Sequence, residues 1–178
     1  MTPSSTPSES VRVSSSEGMI EVRIRGLMMD PVTNMPIVVL KDMHGDAVVP
    51  IWVGIFEANA IALEIEKTTT PRPMTHDLMI QLLRSTGGLL RRVVITELKD
   101  ETFYAVLWIE RGGEWMSLDA RPSDALALAL RMDCPIYVAE PVVRAAKLTN
   151  AGVENFSPDE LRRWLEHLND EDLGRYKM

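Results

Sequence analysis

The stretch LRRVVITELKDETFYAVLWIERGGEWMSLD, residues 90–119, decides the architecture. It holds three runs rich in β-branched and aromatic residues, 90–98, 102–110 and 114–119. Asp100-Glu101 and Gly112-Gly113 separate them. Runs of that length and composition, punctuated by short turn-forming pairs, read as strands of an antiparallel meander. Three strands in succession, with no helix between them, depart from strict strand-helix alternation. That pattern points to an α+β fold with a mixed, largely antiparallel sheet and packed helices.

Reading outward extends the pattern in both directions. Downstream, 122–132 is a helix rich in Ala and Leu, 135–139 a last strand and 141–147 a short helix. Upstream, Ile20, Val22 and Ile24 alternate with Glu21, Arg23 and Arg25, the period of a half-buried strand. Residues 30–34 form a turn, 37–40 a more deeply buried strand, and His44-Gly45-Asp46 a hairpin-type turn. Residues 47–53 form a third strand, and Pro50 places it at an edge or a bulge. The period then changes: Ile55, Ala58, Ile61, Ala62 and Ile65 share one helical face. Residues 68–73 break that helix, and Thr75 is expected to cap a second one ended by Gly87-Gly88.

The two ends differ from the middle. Residues 1–18 are Ser-rich and nearly devoid of apolar side chains, so they are expected to be a disordered tail. Residues 19–149 form the domain. Residues 150–178 are expected to be an acidic helical extension, with Ser157 capping, Pro158 at the first helical position, and Leu161, Trp164, Leu165 and Leu168 on one face.

Composition narrows the function classes. No apolar run is long enough to span a membrane, the polar N-terminus is not a secretory signal, and the cytosol is the expected compartment. Cys134 stands alone, which excludes an intrachain disulfide framework and a Cys-cluster zinc site. A net charge of −7 argues against a large sequence-independent nucleic-acid surface, which needs clustered Lys and Arg, but leaves room for a local phosphate site.

An internal echo adds information. Residues 57–63 and 124–130 share the pattern acid-Ala-x-Ala-x-Ala-Leu, each after a strand-like run. Arg72-Pro73 has a counterpart in Arg121-Pro122. Ala-rich helices resemble one another for plain reasons of composition. A duplicated strand-helix unit would account for the echo equally well, and would bring two equivalent helix N-termini to one side of a sheet.

Polar residues gather at those helix openings: Glu57; Thr75, His76 and Asp77; Asp119, Arg121, Ser123 and Asp124. Acids in a first turn complement the helix dipole, and neighbouring arginines can pair with them, so a structural role explains each position singly. As a set they suit chemistry on phosphate. Arg72 and Arg121, with Thr75 and Ser123, would bind the anion. Asp77, Asp119 and Asp124 would hold a divalent ion, Mg or Mn. His76, Asp77, Asp124 and Glu57 are the candidate catalytic groups, with His76 as general base.

Three segments carry a family resemblance: 50–61 (PIWVGIFEANAI), 72–78 (RPMTHDL) and 119–129 (DARPSDALALA). Together they resemble the bifunctional nuclease domain family of bacteria and plants, over residues 19–148. The resemblance implies an α+β domain with an intertwined, duplicated arrangement and nuclease activity on DNA and RNA. It also implies self-association as a homo-oligomer. Glu57, Arg72, His76, Asp77, Asp119, Arg121 and Asp124 carry over as motif members. The expected function is hydrolysis of phosphodiester bonds, metal-assisted, on short or single-stranded nucleic acid. The alternatives are a non-catalytic oligomeric scaffold or regulatory ligand-binding module with structural Arg-Asp motifs, and a small-molecule phosphatase or nucleotide binder.

Overall fold

The computed structural model describes residues 18–149; the expected N-terminal tail and C-terminal extension lie outside the described residues. Three strands come first: β1 (Met19–Met29), β2 (Pro36–Asp42) and β3 (Val48–Trp52). Helices α1 (Ile55–Ile65) and α2 (Thr75–Ser85) follow. Then come β4 (Gly88–Lys99), β5 (Thr102–Arg111), β6 (Glu114–Ala120), α3 (Pro122–Met132), β7 (Ile136–Ala139) and α4 (Glu140–Thr149). The seven strands make one sheet in the order β3-β2-β1-β7-β4-β5-β6. All neighbours are antiparallel except β4 and β7, so the expected α+β class with a mixed, largely antiparallel sheet is what forms.

The topology repeats itself. β1-β2-β3 and β4-β5-β6 are both meanders, their third strands are the two sheet edges, and they feed α1 and α3 respectively. β1 is antiparallel to β7 and β7 is parallel to β4, so the two meanders run in opposite senses. Order and direction reverse together, as about a two-fold axis normal to the sheet. Pro50 lies in edge strand β3, where its missing N–H costs no ladder bond. The turns fit as well. Asp100 and Glu101 have φ of +48° and +59°, and Gly112 and Gly113 of +59° and +84°, the positive pairs that tight two-residue hairpins require.

Among the described residues, the buried apolar side chains of the helices join one core on one face of the sheet. Val38 and Leu40 of β2, Val49 and Ile51 of β3, and Val93 and Ile95 of β4 meet the helices there in one core. The alternate residues Ile37, Val39 and Val94 are also buried but belong to the other face. α3 is the hub, buried at Ser123 and from Ala125 through Ala129. It lies against β4 and β5 on one side and α1 and α2 on the other. Alternating Ala and Leu permits this: Ala125, Ala127 and Ala129 let neighbours approach, while Leu126 and Leu128 fill the space. Burying a leucine fully is worth about 1.5–3 kcal/mol.

One expectation at the site changes. The residue capping α2 is Met74, and Thr75 is already the first helical residue. Asp77, at the third helical position, reaches back instead: its Oδ2 accepts the Met74 amide at 2.8 Å and so fixes the chain at the helix entry.

Candidate active site at the helix openings

Arg121 is the residue before α3, held there by the short step from edge strand β6. Its Nε donates to Oδ2 of Asp124 at 2.7 Å and its Nη2 to Oδ1 at 3.1 Å. Its Nη1 donates to Oε1 of Glu57, in the first turn of α1, at 2.9 Å. One guanidinium thus ties together the openings of the two equivalent helices. Three of the five N–H groups of a guanidinium are engaged in this way. The side chain is 65% exposed, so the remainder is accessible.

α2 adds the histidine. His76 is buried, and its Nε2 lies 3.0 Å from Oδ1 of Asp124. That contact occupies Nε2 and orients the ring. Burial pushes the Asp124 carboxyl up, but hydrogen bonds from Arg121 and His76, with their charges, outweigh it and hold the group below its ordinary value. The same bonds to Asp124 and Glu57 raise the Arg121 guanidinium above its ordinary range.

Asp77 belongs to a separate cluster. Its Oδ1 accepts Arg131 Nε at 2.7 Å, and Oδ2 accepts the Met74 amide. Arg131 Nη1 donates to the Ala127 carbonyl at 2.9 Å and Nη2 to the Ala60 carbonyl at 3.2 Å. With only 7% of its side chain exposed, Arg131 locks α1, α2 and α3 together. Burial raises the Asp77 carboxyl, and the Arg131 and Met74 bonds bring it net below its ordinary value.

The remaining candidates are scattered. Asp119 is exposed and pairs in register with Val106, whereas its neighbour Ala120 pairs with buried Ala105. Strand alternation therefore turns Asp119 to the helix-free face, away from Asp124. Arg72 is exposed in the loop before α2, and its guanidinium has no ion-pair partner among the described residues. Thr75 is exposed beside His76, and Ser123 is buried behind Arg121.

Two hollows meet at this site. The larger, about 510 Å³, is bordered by His76, Asp124 and Arg121 on its polar side and by Phe56, Leu63 and Met79 on its apolar side. The smaller, about 310 Å³, is lined by Trp52, Gly54, Phe103 and Ser123 among others. Glu57 and Arg121 border both hollows, so their ion pair forms the wall between them.

These side chains do not fit a ready divalent-metal centre. Asp119 faces away, Asp77 is engaged by Arg131, and Asp124 is engaged by Arg121 and His76. Among the described residues, no three His, Cys, Asp or Glu side chains are placed to hold an ion together.

Sequence reasoning passed over two residues. Arg131 is the one charged residue late in an Ala-Leu helix, and a cation in so apolar a run is a signal of a buried partner. Phe56 is an apolar residue outside the apolar stripe of α1 and is 88% exposed beside Glu57.

Fold and site define a small α+β domain of two meander-helix units, with an arginine-bridged carboxylate pair and a histidine at their junction. The bifunctional nuclease domain matches residues 38–151, and the chain belongs to that family. The match begins inside β2, yet β1, which precedes it, lies mid-sheet between β2 and β7. An uncharacterized protein of Mycobacterium tuberculosis is 44% identical over 130 residues, 73% of this chain and 77% of that protein. Bifunctional nuclease 1 of Oryza sativa subsp. japonica is 28% identical over 114 residues, 62% of this chain but 34% of the rice protein. Bifunctional nuclease 1 of Arabidopsis thaliana is 29% identical over 107 residues, 58% of this chain and 33% of its own length. No helix among the described residues is long and apolar enough to cross a membrane.

Proposed function

We propose that this chain is a nuclease that hydrolyses phosphodiester bonds of DNA or RNA at the junction of α1, α2 and α3. The observation that carries the reading is the His76 Nε2 to Asp124 Oδ1 contact of 3.0 Å, beside an accessible Arg121 at the mouth of a 510 Å³ hollow. Family membership and the names of the plant relatives support it at the level of the class. In this reading His76 Nδ1 takes a proton from water as the water oxygen attacks phosphorus. The P–O bond to the leaving group breaks, and that oxygen takes its proton from solvent. Asp124 holds the ring and offsets the charge it gains. The free N–H groups of Arg121 steady the charge on the phosphoryl oxygens. Glu57 positions Arg121.

The experiment compares highly purified wild type with His76→Ala and Asp124→Ala on single-stranded and duplex DNA and RNA, in magnesium, manganese and EDTA. Cleavage by wild type, lost at least a hundredfold in folded variants, is the expected result. The EDTA arm tests metal assistance. Equal cleavage in all preparations would mark a contaminant. A second reading is a non-catalytic scaffold or ligand-binding module. It is favoured by the fact that Glu57, Asp77 and Asp124 each already accept bonds from an arginine. Loss of stability in Asp124→Ala without any wild-type turnover would select it. Leu78 and Leu82, one turn apart on α2 and more than half exposed, support self-association, which sedimentation of the same preparations checks.

A further inference from the structure

The apolar side of the larger hollow has no part in the chemistry above. Phe56 stands at its lip with 88% of its surface in water, the most exposed aromatic side chain among the described residues. It follows Ile55 in the first turn of α1, immediately before Glu57, so its backbone is fixed by the same helix opening that carries the Arg121 ion pair. Behind it the hollow is walled by Leu63 and Met79, and Asn59 supplies one amide with both a donor and an acceptor. A flat aromatic, an apolar wall and a single amide meet the needs of one unpaired nucleobase: a face to stack on, a dry side and an edge to hydrogen-bond. About 510 Å³ is within the range of small-ligand pockets and exceeds the needs of a single ring system. Arg121 and Asp124 border the same hollow, so a base seated there lies next to a phosphate held by Arg121. A paired base inside a duplex cannot turn its face to Phe56 without leaving its stack.

We infer that the hollow between Phe56 and Met79 is a nucleobase pocket, with Phe56 as stacking platform and Asn59 reading the base edge. The pocket selects single-stranded substrate, and this inference rests on the nuclease reading of the adjoining dyad.

The test measures equilibrium binding in EDTA of two labelled probes, a short oligothymidylate and a backbone of equal length carrying abasic tetrahydrofuran sites. Steady-state cleavage of the oligothymidylate runs in parallel. Wild type, Phe56→Ala and Phe56→Tyr are compared; so exposed a side chain can be removed without loss of the fold. The expected result is base-dependent binding by wild type, weakened about 5- to 100-fold in Phe56→Ala with a matching rise in KM and little change in kcat, and restored in Phe56→Tyr. The abasic probe binds wild type and Phe56→Ala alike. Equal binding of oligothymidylate by wild type and Phe56→Ala, or failure of wild type to prefer it over the abasic probe, overturns the pocket. A change of sedimenting mass in Phe56→Ala overturns it in favour of an interface between copies. Base-dependent binding without any cleavage keeps the pocket and sinks the nuclease reading, whereas cleavage without base-dependent binding does the reverse.

Discussion

Arg121 and Arg131 make similar bonds to carboxylates in very different surroundings, and removing each should have opposite consequences. Arg131 has 7% of its side chain exposed, and its partner Asp77 has 33%. Arg131→Ala leaves the Asp77 carboxylate without its guanidinium and two helix carbonyls, Ala60 and Ala127, without their donors. Breaking a buried pair from one side costs about 3–5 kcal/mol. Asp77 keeps the Met74 amide and partial access to water, which places the expected loss near the lower bound, about 3 kcal/mol. For a domain of this size that is roughly 10 °C in Tm. Arg121, at 65% exposure, makes its pairs in water, where such pairs are worth about 0–1 kcal/mol. Arg121→Ala should therefore leave stability almost untouched while removing cleavage. Urea unfolding followed by tryptophan fluorescence gives both stabilities, and single-turnover cleavage at a temperature where both variants are folded gives both activities. Equal destabilisation by the two substitutions, or a loss under 1 kcal/mol for Arg131→Ala, would refute the division of labour. A double-mutant cycle of Arg131→Ala with Asp77→Ala then isolates the pair from the carbonyl bonds.

Two further outcomes follow from the geometry. The folded-state values of Asp77 and Asp124 lie below their ordinary 3.8, so both contribute stability above that value and lose it as pH falls through the lowered folded values. The unfolding free energy should thus be flat with respect to these two groups near neutral pH and drop below about pH 4, with a shallower drop in Asp77→Asn, as read by urea titrations at stepped pH. Gly54 has an ordinary φ of −71°, but a Cβ there would collide with the Glu57 carboxylate. Gly54→Ala should displace that flexible side chain, cost under about 1 kcal/mol and lower kcat/KM to the same degree as Glu57→Gln; unchanged activity in Gly54→Ala would show that the Glu57–Arg121 bond does not matter to turnover.

Local pattern alone carried most of the architecture. Residues 90–119 specified a meander because β-branched runs and two-residue turns act over a few positions, and the turns have the backbone those residues favour. Pro50 marked an edge or a bulge because an absent N–H is a local fact, and the strand is an edge. The echo of 57–63 in 124–130 pointed to two equivalent helix openings, and α1 and α3 do meet through Glu57 and Arg121. What the chain order could not show is which charge answers which. Arg131 reaches Asp77 across 54 positions and His76 reaches Asp124 across 48, pairings set by how α2 lies on α3. Asp119 and Asp124 are five residues apart and read as one cluster in the sequence, yet strand alternation sends one to the helix-free face while the helix carries the other into the site. Periodicity assigns a side chain to a face of its own element; only the packing of the elements decides what that face meets.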